Sequence, residues 1–518
     1  MPLHHFLTVY LISILLLLLP APGMARLFIK AGLPAWKAYI PFYNTWVIQE
    51  LTGRPKHWVF WQLIPVIGWF ITPGIYIEFA KVYGRFSVLD HIGASLFAPL
   101  YFPWLGYQVS PAFIGPDGEK KHIKKQWREW YDAAIFAIVA ATLIRTFVFE
   151  AYTIPSGSME KSLLVNDFLF VSKFSYGPRI PNTPLSVPFV HNYLPFGSSS
   201  KSYISEVQIP YIRWFSKPVE RLDAVVFNFP AGDTVVNRPG YQSFREFQAL
   251  CRELGNGDVD AGRRFVFEHA DTLPLAIHTV DKTDNYIKRC VAVAGDTLEI
   301  RAGDVYISGK KQTPPPYSVM SYLVTTNGQV LDPESMESEY GVDIVNDLMP
   351  IRPDQFYVRN LPARSAAKMM SNGFARSIQP ELLHPDSLDL SSWTSWIFPY
   401  DKSHRWTLDY YGPIWIPKKG ATLQLTPENY SIYERAIRTY EKNDLQKQGD
   451  RFLLNGQPVT SYTFKMDYYW MMGDNRHGSQ DSRYWGFVPE DRIVGKASLI
   501  WFSWENGPRW DRLFRFVK

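Results

Sequence analysis

Three short stretches of this chain carry hydroxyls, amines and carboxylates of the types that acyl-transfer chemistry uses. The first is Ile154-Pro155-Ser156-Gly157-Ser158-Met159. Proline fixes one backbone dihedral and glycine admits a positive one, so the chain can turn sharply and present a hydroxyl beside its own N–H. An acyl-transfer nucleophile with its oxyanion donor needs that local geometry. Taken alone, the run reads more simply as an ordinary turn or an interfacial linker.

A serine nucleophile needs a base, and the candidates are lysines. Lys161 completes Ser158-Met159-Glu160-Lys161, the S-x-x-K spacing that penicillin-binding proteins and β-lactamases carry on a helix. No K-T-G or S-D-N follows, and the continuation SLLVNDFLFVSKF is strand-like. Lys288 lies in Tyr286-Ile287-Lys288-Arg289-Cys290-Val291-Ala292-Val293. On a strand it shares a face with Tyr286, Cys290 and Ala292, while Ile287, Val291 and Val293 line the other. A lysine pointing into a protein-lined site loses hydration, and its neutral form comes within reach. Moving its pKa from ~10.4 to ~8 costs about 3 kcal/mol, which a folded domain can bear. The segment by itself also suits a surface strand lysine.

The third stretch runs from Gly473 to Gly486, GDNRHGSQDSRYWG. It is either a β-turn holding an Asp–Arg pair or a source of hydroxyl and carboxylate groups that aim the lysine. His477 within it reads as a solvent-facing loop residue rather than a base. Other chemistries lack their signatures. There is no GxSxG, HExxH or Walker A run, and the 11 His fall in no metal-ligand spacing. Cys251 and Cys290 have no CxxC partner, which excludes a cysteine zinc site and leaves open whether they pair.

The chain's 518 residues suggest two to four domains on a prior of about 100–200 residues each. With 46% hydrophobic residues it is neither disordered nor collagen-like, and a net charge of +5 gives no argument for nucleic acid. The aromatic content of 16%, with 18 Trp, suits a membrane interface. Four apolar segments are candidate spans: Phe6–Leu19, Trp58–Ala80, Ile92–Tyr107 and Ala133–Phe149. The first has no Lys or Arg before it, unlike a cleaved signal peptide. Arg145 can snorkel from the last. Basic residues at 26–56 and 118–128 assign those loops to the cytoplasm and everything after Glu150 to the opposite side.

Beyond Ala151 short period-two runs dominate: 168–174, 224–229, 286–293, 297–300 and 497–504 read as strands. Ser243–Leu254 and Glu428–Lys442 read as helices. The expected organisation is a membrane region at 1–130 and a spanning helix at 131–150. A β catalytic core follows at 151–296 and 469–518, with an insertion near 231–284 and a second domain at 297–468. Trp393, Trp396, Phe398, Trp406, Tyr410, Tyr411 and Trp415 crowd that domain, as a β core in preference to a membrane-docking face.

IPSGSM after an apolar helix, RLDAVVFNFP, YIKRCVAVAGD and GDNRHGSQDSRYWGFVPE follow one another in the order and character of the boxes of bacterial type I signal peptidases. The resemblance runs from the last apolar helix to the C-terminus, with large inserts. It implies an all-β, membrane-anchored serine endopeptidase that cuts signal peptides from secreted preproteins with a Ser/Lys dyad. By the same match Ser158 is the nucleophile and Lys288 the general base. Ser156 and the Ser158 N–H form the oxyanion hole, Ser479 orients Lys288, and Asp481 with Arg483 supports the site. Ile154, Pro155 and Ile287 line the substrate pocket.

The implied partners are preproteins and the lipid bilayer, without nucleic acid, metal or cofactor. The implied location is the bacterial inner membrane, multi-pass, with the catalytic region outside the cytoplasm. The family's S-M-x-P-T-L reads SMEKSL here, with Lys161 for the proline. R-G-D reads Arg221-Leu222-Asp223, and the Gly and Pro of V-G-L-P-G-D become Ala292 and Ala294. The three N-terminal apolar segments exceed the family's usual anchor, and AWKAYIPFYN before the second of them carries no assignable chemistry.

Overall fold

The computed structural model describes residues 3–64, 67–108, 112–122, 126–195, 200–230, 232, 234–237, 246–328, 332–387 and 396–517. The chain divides into two compact units, Met1–Arg145 and Thr146–Lys518.

The described part of the first unit is helical. Helix Leu3–Leu18 stops at Pro20 and the chain continues as Ala21–Lys30. Among the described residues two stretches are long and apolar enough to cross a membrane, Ser13–Lys30 and Trp127–Phe147. The two middle spans expected from hydropathy are divided instead. Trp58–Ala80 becomes Trp58–Gln62 and Ile67–Lys81, with Pro65 outside the described residues. Ile92–Tyr107 becomes Val88–Leu96 and Ala98–Tyr107. Pro99 lies in the first turn of that last helix, where its missing N–H costs nothing.

Glycine sets the closest contact in this unit. A Cβ at Gly23 would stand 2.1 Å from the Phe102 carbonyl, and one at Gly106 would stand 2.4 Å from the carbonyl oxygen of Gly23. The obstacle is backbone on both sides, so Gly23→Leu must force the two helices apart. Overpacking of this kind costs about 1–3 kcal/mol or more. Detergent-solubilised Gly23→Leu should melt earlier than wild type, and an unchanged transition would refute the contact. AWKAYIPFYN has a structural task here. Asn44 is fully buried and donates to the carbonyls of Leu17 and Ala38, and Thr45 binds Gln62, which binds Thr72.

The second unit is built on an antiparallel sheet of eight strands. In chain order they are β1 (Phe149–Thr153), β2 (Asp167–Ser172), β3 (Ala224–Asn228), β4 (Asn285–Ala292), β5 (Tyr468–Met472), β6 (Val488–Pro489), β7 (Ile493–Ser503) and β8 (Arg515–Phe516). Their spatial order is β1-β2-β7-β3-β4-β5-β6, with β8 also on β7. The strands expected at 168–174, 224–229, 286–293 and 497–504 are therefore neighbours, and Val225 faces Lys288.

The alternation expected along β4 holds only in part. Cys290 and Val293 pack into one cluster, Val291 and Ala292 into another. The cause is a bulge: Trp470 opposes Ala292 while Met471 opposes Cys290, so Val291 is skipped. Cys251 and Cys290 are both buried and unpaired.

The insertion after β3 forms a hairpin, Thr234–Val236 with Leu275–Ile277, covered by helices Phe247–Leu254 and Val259–Glu268. The start of the helix expected from Ser243 falls outside the described residues. Between β4 and β5 lie a four-stranded sheet at 297–311 and 411–415 and another within 319–380. The helix expected over Glu428–Lys442 is shorter, an α turn at Tyr430–Arg435 continued by a wider turn at Ala436–Tyr440. Phe398 and Tyr411 are buried in the core, with Trp406 and Trp415 against it, while Trp396 is exposed and Trp393 lies outside the described residues.

Candidate active site

β1 carries the chain to the serine turn. Ile154 pairs by backbone with Asn166 and Asp167, closing a loop whose tip is the short turn Gly157–Met159. Met159 and Leu163 bury themselves with Ile154, Leu169 and Ala224, and Ile287 packs on the same cluster. That apolar anchoring fixes where Ser158 emerges. β3 and β5 flank β4 and hold Lys288 in the sheet, 3% exposed.

Lys288 Nζ lies 2.6 Å from Ser158 Oγ, 130 residues away in sequence. It also sits over the Tyr286 ring, 5.4 Å from the centroid. Burial holds the amine's pKa down to about 8, although the charges of Asp481 and Asp474 pull it upward. A neutral amine within hydrogen-bond reach of a serine hydroxyl is the arrangement that general-base activation requires.

Around this pair the polar segment 473–486, which ends in the helical turn Ser482–Trp485, is tied down by hydrogen bonds. The Asn475 N–H donates to the Ser158 carbonyl at 3.1 Å, and its side-chain amide donates to the Gly157 carbonyl at 3.2 Å. Asp481 is fully buried and accepts from Arg483 Nε at 2.9 Å, Arg483 Nη2 at 2.8 Å and the Gly473 N–H at 3.0 Å. Desolvation opposes ionisation there, yet the Arg483 guanidinium and these hydrogen bonds hold the carboxyl below its ordinary range. A second buried pair, Arg289 with Asp474, ties β4 to the loop at 3.1 and 2.5 Å. Buried pairs of this kind specify geometry more than they stabilise it.

The residues picked out from sequence are distributed unevenly. Ser158, Lys288, Asp481 and Arg483 are buried. The buried Ser479 hydroxyl has no hydrogen-bond partner among the described residues. It packs against Gly473, where a Cβ would stand 2.2 Å from Ser479 Oγ and 2.5 Å from the Ser158 carbonyl oxygen. Ser156 and Pro155 are exposed, whereas Ile154 is buried beside Ile287. Lys161 leaves the turn in the left-handed region (φ 65°) and bonds Asp347 Oδ2 at 3.2 Å, so no S-x-x-K helix forms. His477 is not a free loop residue: its Nε2 lies 3.0 Å from both carboxylate oxygens of Asp409.

Asn475, Gly473 and the Arg289–Asp474 pair were not singled out by sequence. Their only signal was the density of polar residues around Gly473, since their partners are remote along the chain. Arg221 pairs with Asp296 and Asp223 with Lys496.

Comparison with known proteins adds two family matches. A family model described as signal peptidase, peptidase S26, matches residues 127–360 and 419–504. One described as a family of unknown function, DUF5684, matches residues 36–116. Signal peptidase I of Haemophilus influenzae is 24% identical over 396 residues, covering 74% of this chain and 75% of the relative. That of Buchnera aphidicola subsp. Acyrthosiphon pisum is 24% identical over 389 residues, covering 74% and 79%. The Aquifex aeolicus enzyme reaches 64% identity over a stretch of 36 residues.

Proposed function

The chain belongs to the signal peptidase family, peptidase S26, and from that premise we propose how its residues divide the work of removing signal peptides from preproteins. Ser158 Oγ attacks the scissile carbonyl carbon while Lys288 Nζ takes its proton. The Ser158 N–H and the Ser156 hydroxyl receive the oxyanion. The C–N bond then breaks, the Lys288 ammonium protonates the departing amine, and water hydrolyses the acyl-serine by the same base. Asp481 with Arg483 holds the loop, and Ser479, whose buried hydroxyl is without a partner among the described residues, would steer the amine by turning that hydroxyl toward it. Pro155 and Ile287 present apolar surface to the small side chains before the cut, backed by the buried Ile154. The observation that carries this reading is the 2.6 Å contact between Lys288 Nζ and Ser158 Oγ.

The substrate's apolar targeting helix shares a bilayer with the enzyme, held there through Ser13–Lys30 and Trp127–Phe147. Charge placement favours a multi-pass anchor in the bacterial inner membrane with the catalytic unit outside the cytoplasm. The reaction itself calls for no cofactor or nucleic acid.

Because the amine must be unprotonated to act, kcat/KM should rise with pH through about 8 and level off above it. The test is the purified chain in detergent with a preprotein, scored by the new N-terminus across pH 6 to about 10. A rate that is flat through that range, or no cut at the signal-peptide junction, overturns the assignment.

A further inference from the structure

Lys161 departs from the family's box, and its setting is unlike that of the proline it replaces. Its φ of +65° is a region proline cannot enter; Lys161 is the third residue of a type II turn at 159–162, closed by the Ser162 N–H on the Met159 carbonyl at 3.1 Å. From outside the turn its side chain is held by Asp347, 186 residues downstream. The carboxylate is 7% exposed and is itself fixed, accepting from the Asp343 N–H at 3.2 Å and the Asn360 side chain at 3.1 Å. Asp347 belongs to the subdomain at 319–380, which has its own four-stranded sheet and apolar core.

The same subdomain grips the active site a second time. The Val319 N–H donates to the Asp474 carbonyl at 2.8 Å, and the Arg476 N–H donates to the Val319 carbonyl at 3.0 Å. Between those two bonds sits Asn475, whose N–H holds the Ser158 carbonyl. One subdomain thus holds both the far end of the serine turn and the loop that receives it.

We propose that the subdomain at 319–380 is a positioning element of the catalytic site. Its Asp347, paired with Lys161, ties down the far end of the serine turn and so keeps Ser158 aimed at Lys288. Lys161 and Asp347 are positioning residues, with no contact to the reacting atoms. This inference rests on the dyad assignment above. It also explains how the chain manages without the proline: the rigidity proline supplies by its ring comes here from a charge pair anchored in an inserted sheet.

The test is preprotein cleavage by the full chain in detergent, with Lys161→Met, Asp347→Asn, their double variant, Lys161→Arg and Ser158→Ala side by side. Asp347→Asn removes the charge at unchanged size, but its one oxygen can keep Asp343 or Asn360 and not both, because they donate to different carboxylate oxygens, so the melting temperature is read beside kcat. Each single loss should lower kcat by about 10- to 100-fold at constant KM, the scale expected when a reacting group is misplaced by a fraction of its bond reach. The double variant should be no worse than the poorer single one. Lys161→Arg should recover most of the rate.

Wild-type kcat in Asp347→Asn overturns the proposal, as do fully additive losses. A rise in KM at constant kcat overturns it too, by making the pair a substrate contact. If Ser158→Ala cleaves normally, the dyad reading fails instead, which is a different result.

Discussion

Lys288→Met should leave a chain that cleaves no preprotein at any pH and yet is more stable than wild type at neutral pH. The first half follows from the contact with Ser158. Without an acceptor for its proton the hydroxyl is a poor nucleophile, and losing such a group costs on the order of 10⁴- to 10⁶-fold in rate. Ser158→Ala should show the same loss, and the double variant no more, because the two groups act as one unit.

The second half follows from the amine's burial. Its pKa in the fold is about 8, against an ordinary value of 10.5. At about 1.36 kcal/mol per unit, the folded state bears about 3 kcal/mol for confining the protonated form. Below pH 8 both states are protonated and that cost is present in full. Between 8 and 10.5 the unfolded chain still binds a proton that the folded chain has shed, so wild-type stability rises with pH and the cost fades. Methionine fills the space without the charge, and loses one hydrogen bond worth about 1 kcal/mol. The gain should therefore be about 2 kcal/mol at pH 7 and should shrink toward pH 10. Measurable cleavage by Lys288→Met would sink the base assignment, and a stability gain independent of pH would sink the account of its pKa.

How far the sequence reaches is clearest at β4. Period-two patterning placed a strand there, and chemical character marked Lys288 within it. What the pattern could not hold is the bulge at Val291, because a skipped residue is created by the partner strand and leaves no trace in the run itself. The polar loop at 473–486 was visible as a concentration of hydrogen-bonding groups, and its Asp481–Arg483 pair lies two residues apart. Arg289 with Asp474 spans 185 residues and Lys161 with Asp347 spans 186, distances over which no local rule operates. At the N-terminus, apolar length makes Trp58–Ala80 and Ile92–Tyr107 candidate spans even though Pro65, Gly68 and Pro73 interrupt the first and Pro99 and Pro103 the second. The structure divides both into shorter helices, with Pro73 and Pro103 inside two of them and Pro99 in a first turn, a division that apolar length does not encode.

Gly473→Ala should cost this enzyme most of its rate. The glycine does not need its conformational freedom here; it needs the absence of a side chain. An added Cβ would lie 2.2 Å from Ser479 Oγ, 2.4 Å from Ser479 Cβ and 2.5 Å from the Ser158 carbonyl oxygen. Two of these neighbours belong to a buried serine and the third to the backbone that carries the nucleophile. The Gly473 N–H is also committed to Asp481, so the residue cannot retreat without breaking that bond. Either Ser479 or the Ser158 peptide must move, and a shift approaching 1 Å between reacting groups costs on the order of 100-fold in rate. Overpacking should add about 1–3 kcal/mol of destabilisation.

Adding Ser479→Gly to Gly473→Ala separates the two effects, because it removes two of the three clashes and leaves the one with the Ser158 carbonyl. The double variant should regain most of the lost melting temperature and little of the lost kcat. Near-normal cleavage by Gly473→Ala would mean that the serine turn and the 473–486 loop do not approach this closely in the working enzyme. Recovery of rate along with stability would mean that Ser479, and not the serine turn, is what the methyl group displaces.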